Sequence, residues 1–206
     1  MRNTIYKYII PLLAGCFLLV QNSAAQNADI NFVRAVNPQG EKSFLFRGLS
    51  SSVYSVSLAI PAGNFVYGVI KKDKCVKVRS YEELGSVIIT GIITAGVKTT
   101  VDRARPYEKY SGVYPEEYEN GKSFPSAHSA IAFATATTLS LQCKKWYVVV
   151  PAYVWAAGCG FSRIYLGEHY PSDVLAGAAI GVGSAFVSRW ITKKIFKPCS
   201  VLKEPM

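Results

Sequence analysis

Uncharged stretches alternate with charged ones along most of the chain. After an apolar N-terminal segment, five such stretches cover residues 49–70, 84–97, 123–143, 146–162 and 174–188, and only His128 interrupts the third. At about 1.5 Å per residue, only the first and third are long enough to cross roughly 30 Å of hydrocarbon unaided. We therefore predict an all-α fold, a polytopic membrane bundle of about five helical spans. A soluble all-α domain with short apolar helices is the alternative.

Residues 1–25 have the composition of a secretory signal peptide. Arg2 and Lys7 precede an uncharged run, and Ser23-Ala24-Ala25 resembles a cleavage site. Two other interpretations stay open. The chain could be processed as a lipoprotein at Cys16, or it could retain this segment as a first span, for which the apolar run is short.

The rest of the chain divides into three parts. Residues 26–48 show no strong periodicity and are predicted to form a polar periplasmic arm. Residues 49–190 contain all five uncharged stretches and are predicted to form one domain, followed by a basic cytoplasmic tail at 191–206. Residues 98–122 form a connection longer than two neighbouring helices need, and loops of this kind are often functional.

The basic residues are distributed unevenly, which predicts an orientation. The net charge is +10, and the segments 71–83, 144–145 and 189–206 hold twelve Lys and Arg residues against four acids. Because such segments stay preferentially in the cytoplasm, we predict a bacterial inner-membrane protein whose other loops face the periplasm. Cys75, Cys143 and Cys199 would then lie on the reducing side. Secretion argues against nucleic acid as the partner of this charge and favours an anionic substrate or membrane surface.

Three stretches on the predicted outer side carry nearly all the candidate chemistry. They contain both histidines of the chain together with several cations. Such cations repel one another unless an anion sits among them, so the cluster predicts a phosphate-sized site with two titratable groups beside it. The stretches are Lys98 to Arg105-Pro106, Pro125-Ser126-Ala127-His128, and Ser162-Arg163 with His169 and Asp173.

Two prolines support an anion site at this end of the helices. Pro125 and Pro171 stand where helices would begin, which places the N–H groups of Ser126, Ala127 and Ser172 in first turns, free to bind an anion. The five cysteines show neither a metal-type pair spacing nor the density of a small disulfide-rich scaffold, so neither a zinc site nor a disulfide framework is predicted. No other metal and no cofactor is predicted either.

These three stretches resemble the signature motifs of the type 2 phosphatidic acid phosphatase (PAP2) superfamily, which also contains bacterial acid phosphatases and vanadium haloperoxidases. The resemblance covers residues 98–173, with the three motifs in order and every charged position filled. One position departs from the pattern, because Ala127 stands where the motif most often has glycine. Alanine keeps the backbone N–H but adopts positive φ less readily.

The resemblance implies a role for each matching residue. His169 would be the nucleophile that becomes phosphohistidine, and Asp173 would orient its ring. His128 would protonate the leaving oxygen and then activate water. The phosphate oxygens would be held by Lys98, Arg105, Ser126, Ala127 and Arg163.

The function implied is a metal-independent phosphatase that acts on a membrane lipid phosphate at the periplasmic face. Lipid A and undecaprenyl diphosphate rank above phosphatidylglycerol phosphate and phosphatidic acid, because their phosphates are presented in the outer-facing leaflet. A soluble periplasmic acid phosphatase with broad substrates is the main alternative. A vanadate-dependent haloperoxidase is a second alternative, which the small size and the signal sequence disfavour. A transporter or scaffold without catalysis is a third, against which the complete set of catalytic positions argues.

Overall fold

The structure, a computed structural model, describes residues 23–196 and is all-helical within that range. Most of the predicted signal peptide and most of the predicted basic tail lie outside the described residues. The helices are α1 (Ser23–Val36), α2 (Phe44–Ile70), α3 (Lys74–Val101), α4 (Pro106–Lys109), α5 (Ala127–Gln142), α6 (Trp146–Tyr165) and α7 (Pro171–Ile195). The prediction of an all-α fold is confirmed, and the larger part of each uncharged stretch lies in one of the five longest helices.

Local signals in the sequence fix several helix ends. The Asp73 carboxylate caps α3 by accepting from the backbone N–H groups of Cys75 and Val76 at 2.8 and 3.2 Å. The same helix ends at Asp102, which adopts the left-handed conformation with φ 51° and thereby turns the chain toward Arg103 and Arg105. Pro171 occupies the first position of α7, where its missing N–H costs nothing.

Helix α5 lies in the middle of the bundle and packs against α7, α6 and α3. Small residues allow the closest of these approaches. A Cβ atom added at Gly177 would lie 2.4 Å from the Ser126 carbonyl oxygen, and one at Gly181 would lie 2.1 Å from that of Ala130. These glycines are four residues apart on one face of α7, the spacing that lets two membrane helices pack backbone to backbone.

Three segments are long and apolar enough to cross a membrane, namely Phe44–Ile70, Lys74–Lys109 and Pro171–Ile195. Helices α5 and α6, with 16 and 20 residues, complete the bundle. The arrangement of five long helices therefore agrees with the sequence, while five complete spans stay a prediction. Apolar side chains are exposed on the outer faces of several helices, which suits a lipid environment, among them Ile92, Val154, Leu175 and Phe186.

The predicted polar arm at 26–48 is not irregular, because its first part forms helix α1. Ile30 and Val33 of α1 are buried against Val113, Ile164 and Val174. Short isolated helices are unstable in water, so most of the stability of α1 comes from this packing rather than from local preference. The helix lies beside the end of the bundle that carries the candidate chemistry.

The cysteines give a mixed result for the predicted orientation. Cys143 and Cys159 are free thiols, whereas Cys75 is disulfide-bonded. Disulfides persist in oxidising compartments, and Cys75 belongs to the end of the bundle predicted to face the reducing cytoplasm. This bond therefore weighs against the predicted orientation, and the labelling experiment described below decides between the two.

Candidate active site

The predicted site residues gather at one end of the bundle. Lys98 lies in the last turn of α3, Ala127 and His128 begin α5, and the link from α6 to α7 carries His169. Arg105 is extended before Pro106, with φ −73° and ψ 159°, as expected for a residue that precedes proline. The loop from 110 to 126 and helix α1 close the site from the side.

His169 is almost fully buried and is held through both ring nitrogens. Its Nδ1 lies 3.5 Å from Asp173 Oδ2, and its Nε2 lies 3.5 Å from Arg105 Nη1. Burial lowers the pKa of His169 to about 4, although Asp173 opposes this shift. The imidazole is therefore neutral near pH 7, with Nε2 directed toward the cationic side of the site.

Arg105 and Arg163 form the cationic side, and their side chains are only 2% and 4% exposed. Arg105 is fixed by two carbonyl oxygens, since Nε donates to Gly121 and Nη1 donates to Glu168, each at 3.1 Å. Arg163 Nη1 donates to Ser50 Oγ at 2.5 Å. Its Nε is buried and has no partner among the described residues.

One carboxylate bridges the two guanidinium groups. Glu119 Oε2 accepts from Arg105 Nη2 at 2.7 Å, and Oε1 accepts from Arg163 Nη2. Burial alone would raise the Glu119 pKa, but Arg163 and Arg105 hold it well below its usual range, at about 2. A second acid, Glu168, accepts from Arg163 Nη2 at 2.5 Å. Burial raises its pKa to about 7, with Glu119 adding to the shift and Arg163 opposing it.

Lys98 and His128 lie at the rim of this cluster, and both are half-buried. The Lys98 ammonium donates to the Lys122 carbonyl oxygen. The His128 ring packs edge-on against Tyr54, with 4.9 Å between centroids, and lies within electrostatic range of Glu119 and Arg163. The structure thus brings the predicted cations and both histidines together.

The predicted backbone donors are only partly available. The Ser126 N–H donates to the Asp173 carbonyl oxygen at 3.1 Å, and the Ser172 N–H donates to Asp29 Oδ1 at 3.1 Å. The expectation that both are free is therefore wrong. Ser126 is the cap of α5 rather than a first-turn residue, so Pro125 stands before the helix. Ala127, the first residue of α5, keeps an N–H without a partner inside the helix.

Sequence reasoning missed the residues that surround Asp173. Arg103 Nη1 donates to Asp173 Oδ1 at 2.6 Å, and its Nη2 donates to Asp29 Oδ2 at 3.0 Å. The Ser123 hydroxyl donates to Asp173 Oδ2 at 2.5 Å, and the guanidinium of Arg103 lies 3.9 Å from the Tyr170 ring centroid. Asp173 is thus fixed by several donors before it contacts His169.

No group of three or more His, Cys, Asp or Glu side chains between residues 23 and 196 is arranged to hold a metal ion. The charged groups of the site are instead arranged around an oxyanion. Metal independence stays a prediction that requires an assay.

Comparison with known proteins identifies similar chains. The profile of the PAP2 superfamily matches residues 83–197. A lipid A 1-phosphatase of Porphyromonas gingivalis is 30% identical over 205 residues, which cover 96% of this chain and 40% of that protein. A lipid A 4′-phosphatase of Bacteroides thetaiotaomicron is 36% identical over 75 residues, 36% of this chain and 33% of that protein. The chain thus spans less than half the length of these two relatives.

The fold has a solved counterpart. The crystal structure of a transmembrane PAP2-type phosphatidylglycerolphosphate phosphatase from Bacillus subtilis superimposes with a TM-score of 0.68 at 24% identity. The match covers 91% of this chain and 97% of that one. The bundle therefore has the same helical architecture as this transmembrane enzyme.

Proposed function

The chain belongs to the PAP2 superfamily, and from this premise we propose that it is a metal-independent membrane lipid phosphatase acting through a phosphohistidine intermediate. The observation that carries the proposal is the bridged pair of buried arginines, Arg105 and Arg163. They hold both oxygens of one carboxylate close to His169, so the site already binds an oxyanion where the reaction requires one. The same groups would hold phosphate oxygens in its place.

The first chemical step follows from the orientation of His169. With the proton of the neutral ring on Nδ1, toward Asp173, the lone pair lies on Nε2. This nitrogen faces Arg105 Nη1 at 3.5 Å and would exchange that contact for phosphorus when it attacks. The Nε2–P bond forms as the bond from phosphorus to the leaving oxygen breaks, and His128 gives its proton to that oxygen. The equatorial oxygens gain charge in this step, and the fixed cations Lys98, Arg105 and Arg163 stabilise it, together with the N–H of Ala127.

The second step releases phosphate. Water attacks phosphorus, His128 accepts its proton, and the electron pair of the P–N bond returns to His169 Nε2. Asp173 stabilises the positive charge that the ring carries while phosphorus is attached. Arg103 and Ser123 keep the Asp173 carboxylate in place throughout both steps.

We propose lipid A or undecaprenyl diphosphate as the substrate, with phosphatidylglycerol phosphate and phosphatidic acid as further candidates. The similarity to two lipid A phosphatases supports the first. The site would face the periplasm from the inner membrane, which the excess of basic residues at the opposite end supports and the disulfide of Cys75 opposes.

The proposal is tested by phosphate release from a panel of these four purified lipids, with the detergent-solubilised protein and His169→Ala as the control. We expect release from at least one lipid, loss of it in the variant, and unchanged activity in excess EDTA. Activity that EDTA removes and Mg²⁺ restores would contradict the metal-free mechanism. The alternative, a soluble acid phosphatase, would be supported by two results together. The protein would hydrolyse only soluble phosphate esters, and a carbonate wash would remove it from membranes.

A further inference from the structure

The side chain of Glu119 occupies the position proposed for the substrate phosphate. Its two oxygens contact Arg105 and Arg163, the two most deeply buried cations of the site. The Nη2 groups of Arg105 and Arg163 each donate to Glu119, and an N–H that points at a carboxylate oxygen is not available to a phosphate oxygen. A phosphate that uses these two Nη2 donors therefore has to replace Glu119.

Glu119 differs from the second acid in how firmly the chain holds it. Glu168 is 1% exposed and lies beside His169 in the link between two packed helices. Glu119 belongs to the loop 110–126, its side chain is 27% exposed, and its neighbour Tyr118 is 82% exposed. The Tyr107 hydroxyl donates to the Glu119 carbonyl oxygen at 3.2 Å, so the backbone stays anchored while the side chain can leave.

We propose that Glu119 is an internal competitor for the anion site, a carboxylate that gives way to the substrate phosphate and displaces the product phosphate after each turnover. The inference rests on the proposed function, because it assigns the arginines to phosphate. Its physical basis is the cost of release: inorganic phosphate left among several buried cations would dissociate slowly. A tethered carboxylate returns at high effective concentration and takes over both arginines as phosphate leaves.

The arrangement has a quantitative consequence for anion binding. When only a minor fraction of the protein molecules can bind the anion, the apparent dissociation constant equals the intrinsic constant divided by that fraction. The structure shows Glu119 bound to both arginines, so the competent fraction is the state in which it has swung away. Removing the carboxylate should therefore tighten the binding of every anion by the same factor, whatever its charge.

The experiment compares Glu119→Gln with Glu117→Gln by calorimetric titration of the purified protein in detergent. Glu117 is exposed in the same loop, so the control changes the net charge equally. The probes are inorganic phosphate, a dianion at pH 8, and dimethyl phosphate, a monoanion. We expect Glu119→Gln to bind both about tenfold or more tightly than the wild type, by equal factors, and Glu117→Gln to bind both as the wild type does.

Three results would overturn the inference. Weaker phosphate binding in Glu119→Gln would mean that Glu119 builds the site instead of competing for it. Equal binding in all three proteins would mean that it does not occupy the arginines in solution. A larger gain for the dianion than for the monoanion would mean that Glu119 stays in place and acts by charge repulsion.

Turnover supplies an independent measurement. Glu119→Gln should show a lower kcat and stronger product inhibition than Glu117→Gln, since phosphate release becomes slow. The side chain of Glu119→Asp is shorter and bridges the two arginines less well. The kcat and the product inhibition of this variant should therefore lie between those of the wild type and of Glu119→Gln. The titrations need no hydrolysis, so a failure of the proposed function and a failure of this inference remain distinguishable.

Discussion

The ring of His169 separates two kinds of contact. Nδ1 faces the acid Asp173, and Nε2 faces the arginine Arg105. In the proposed mechanism Nδ1 keeps its proton and Nε2 attacks phosphorus, while His128 is a separate group that donates a proton to the leaving oxygen. Their separate roles can be distinguished by choosing the leaving group.

We predict that His169→Ala and His128→Ala both abolish turnover of a lipid phosphate but differ with an aryl phosphate whose leaving group needs no proton. His128→Ala should then give a burst of one aryl alcohol per protein, because phosphohistidine forms but water is not activated. His169→Ala should give no burst. Rapid-quench measurement of the burst distinguishes the two variants. If neither variant gave a burst, the proposed roles of the two histidines would be wrong.

The residues proposed to react with phosphate or to bind it could be predicted from the sequence. The residues that contact them and fix their positions could not. His128, His169, Arg105 and Arg163 lie within short motifs whose residue types and spacing are informative. Glu119 is one acid among several in a long loop, and nothing local distinguishes it from exposed Glu117. Which of them reaches the arginines depends on the path of the loop, and a single sequence does not specify that path.

At the scale of elements, helix α1 helps to position the site through the residues that surround Asp173. Its Asp29 accepts from the Ser172 N–H at the start of α7 and from Arg103, which in turn holds Asp173. Asp29 therefore connects α1, the segment that carries Arg103 and the start of α7 around Asp173, the carboxylate proposed to orient His169. The sequence did not predict this helix, because its few apolar positions give no strong period and its stability depends on tertiary packing.

Asp29→Asn should lower turnover through the position of Asp173 while leaving the cations that bind phosphate untouched. A hydrogen bond between charged groups contributes roughly 1.5–3 kcal/mol, so we expect kcat to fall by about tenfold or more with little change in phosphate affinity. Glu41→Gln, at an exposed acid in the following segment, is the control. Equal losses of kcat and of phosphate binding would indicate general disruption of the site rather than a positioning role.

The contact between α5 and α7 gives a second prediction for the elements. A Cβ atom at Gly181 would lie 2.1 Å from the Ala130 carbonyl oxygen, whereas one at Gly183 has no atom within 4 Å. Gly181→Ala should therefore force the helices apart and lower the unfolding free energy by about 1–3 kcal/mol. Gly183→Ala should be neutral or slightly stabilising, because alanine is the better helix former. Thermal unfolding in detergent compares the two, and equal stabilities would show that the helices do not pack this closely.

At the scale of the whole molecule, the helical architecture was predictable because each uncharged stretch supplies most of its residues to one of the five longest helices. The number of complete spans was not, because α5 is short and buried in the centre of the bundle, where a helix needs less apolar length. Orientation is the property on which the observations disagree. The distribution of basic residues predicts that the site faces the periplasm, while the disulfide of Cys75 favours an oxidising environment at the other end.

Single cysteines at Ser111 and Lys71 test the orientation directly. Ser111 is exposed beside the site, Lys71 is exposed at the far end, and the 28 residues of α3 separate those ends by about 42 Å. In intact cells, where the inner membrane stays closed, a maleimide that cannot cross it should label Ser111→Cys and not Lys71→Cys. The unsubstituted chain corrects for native thiols, and permeabilised cells should label both. The reverse pattern would turn the site toward the cytoplasm, in keeping with the Cys75 disulfide, and would exclude substrates presented only in the outer-facing leaflet.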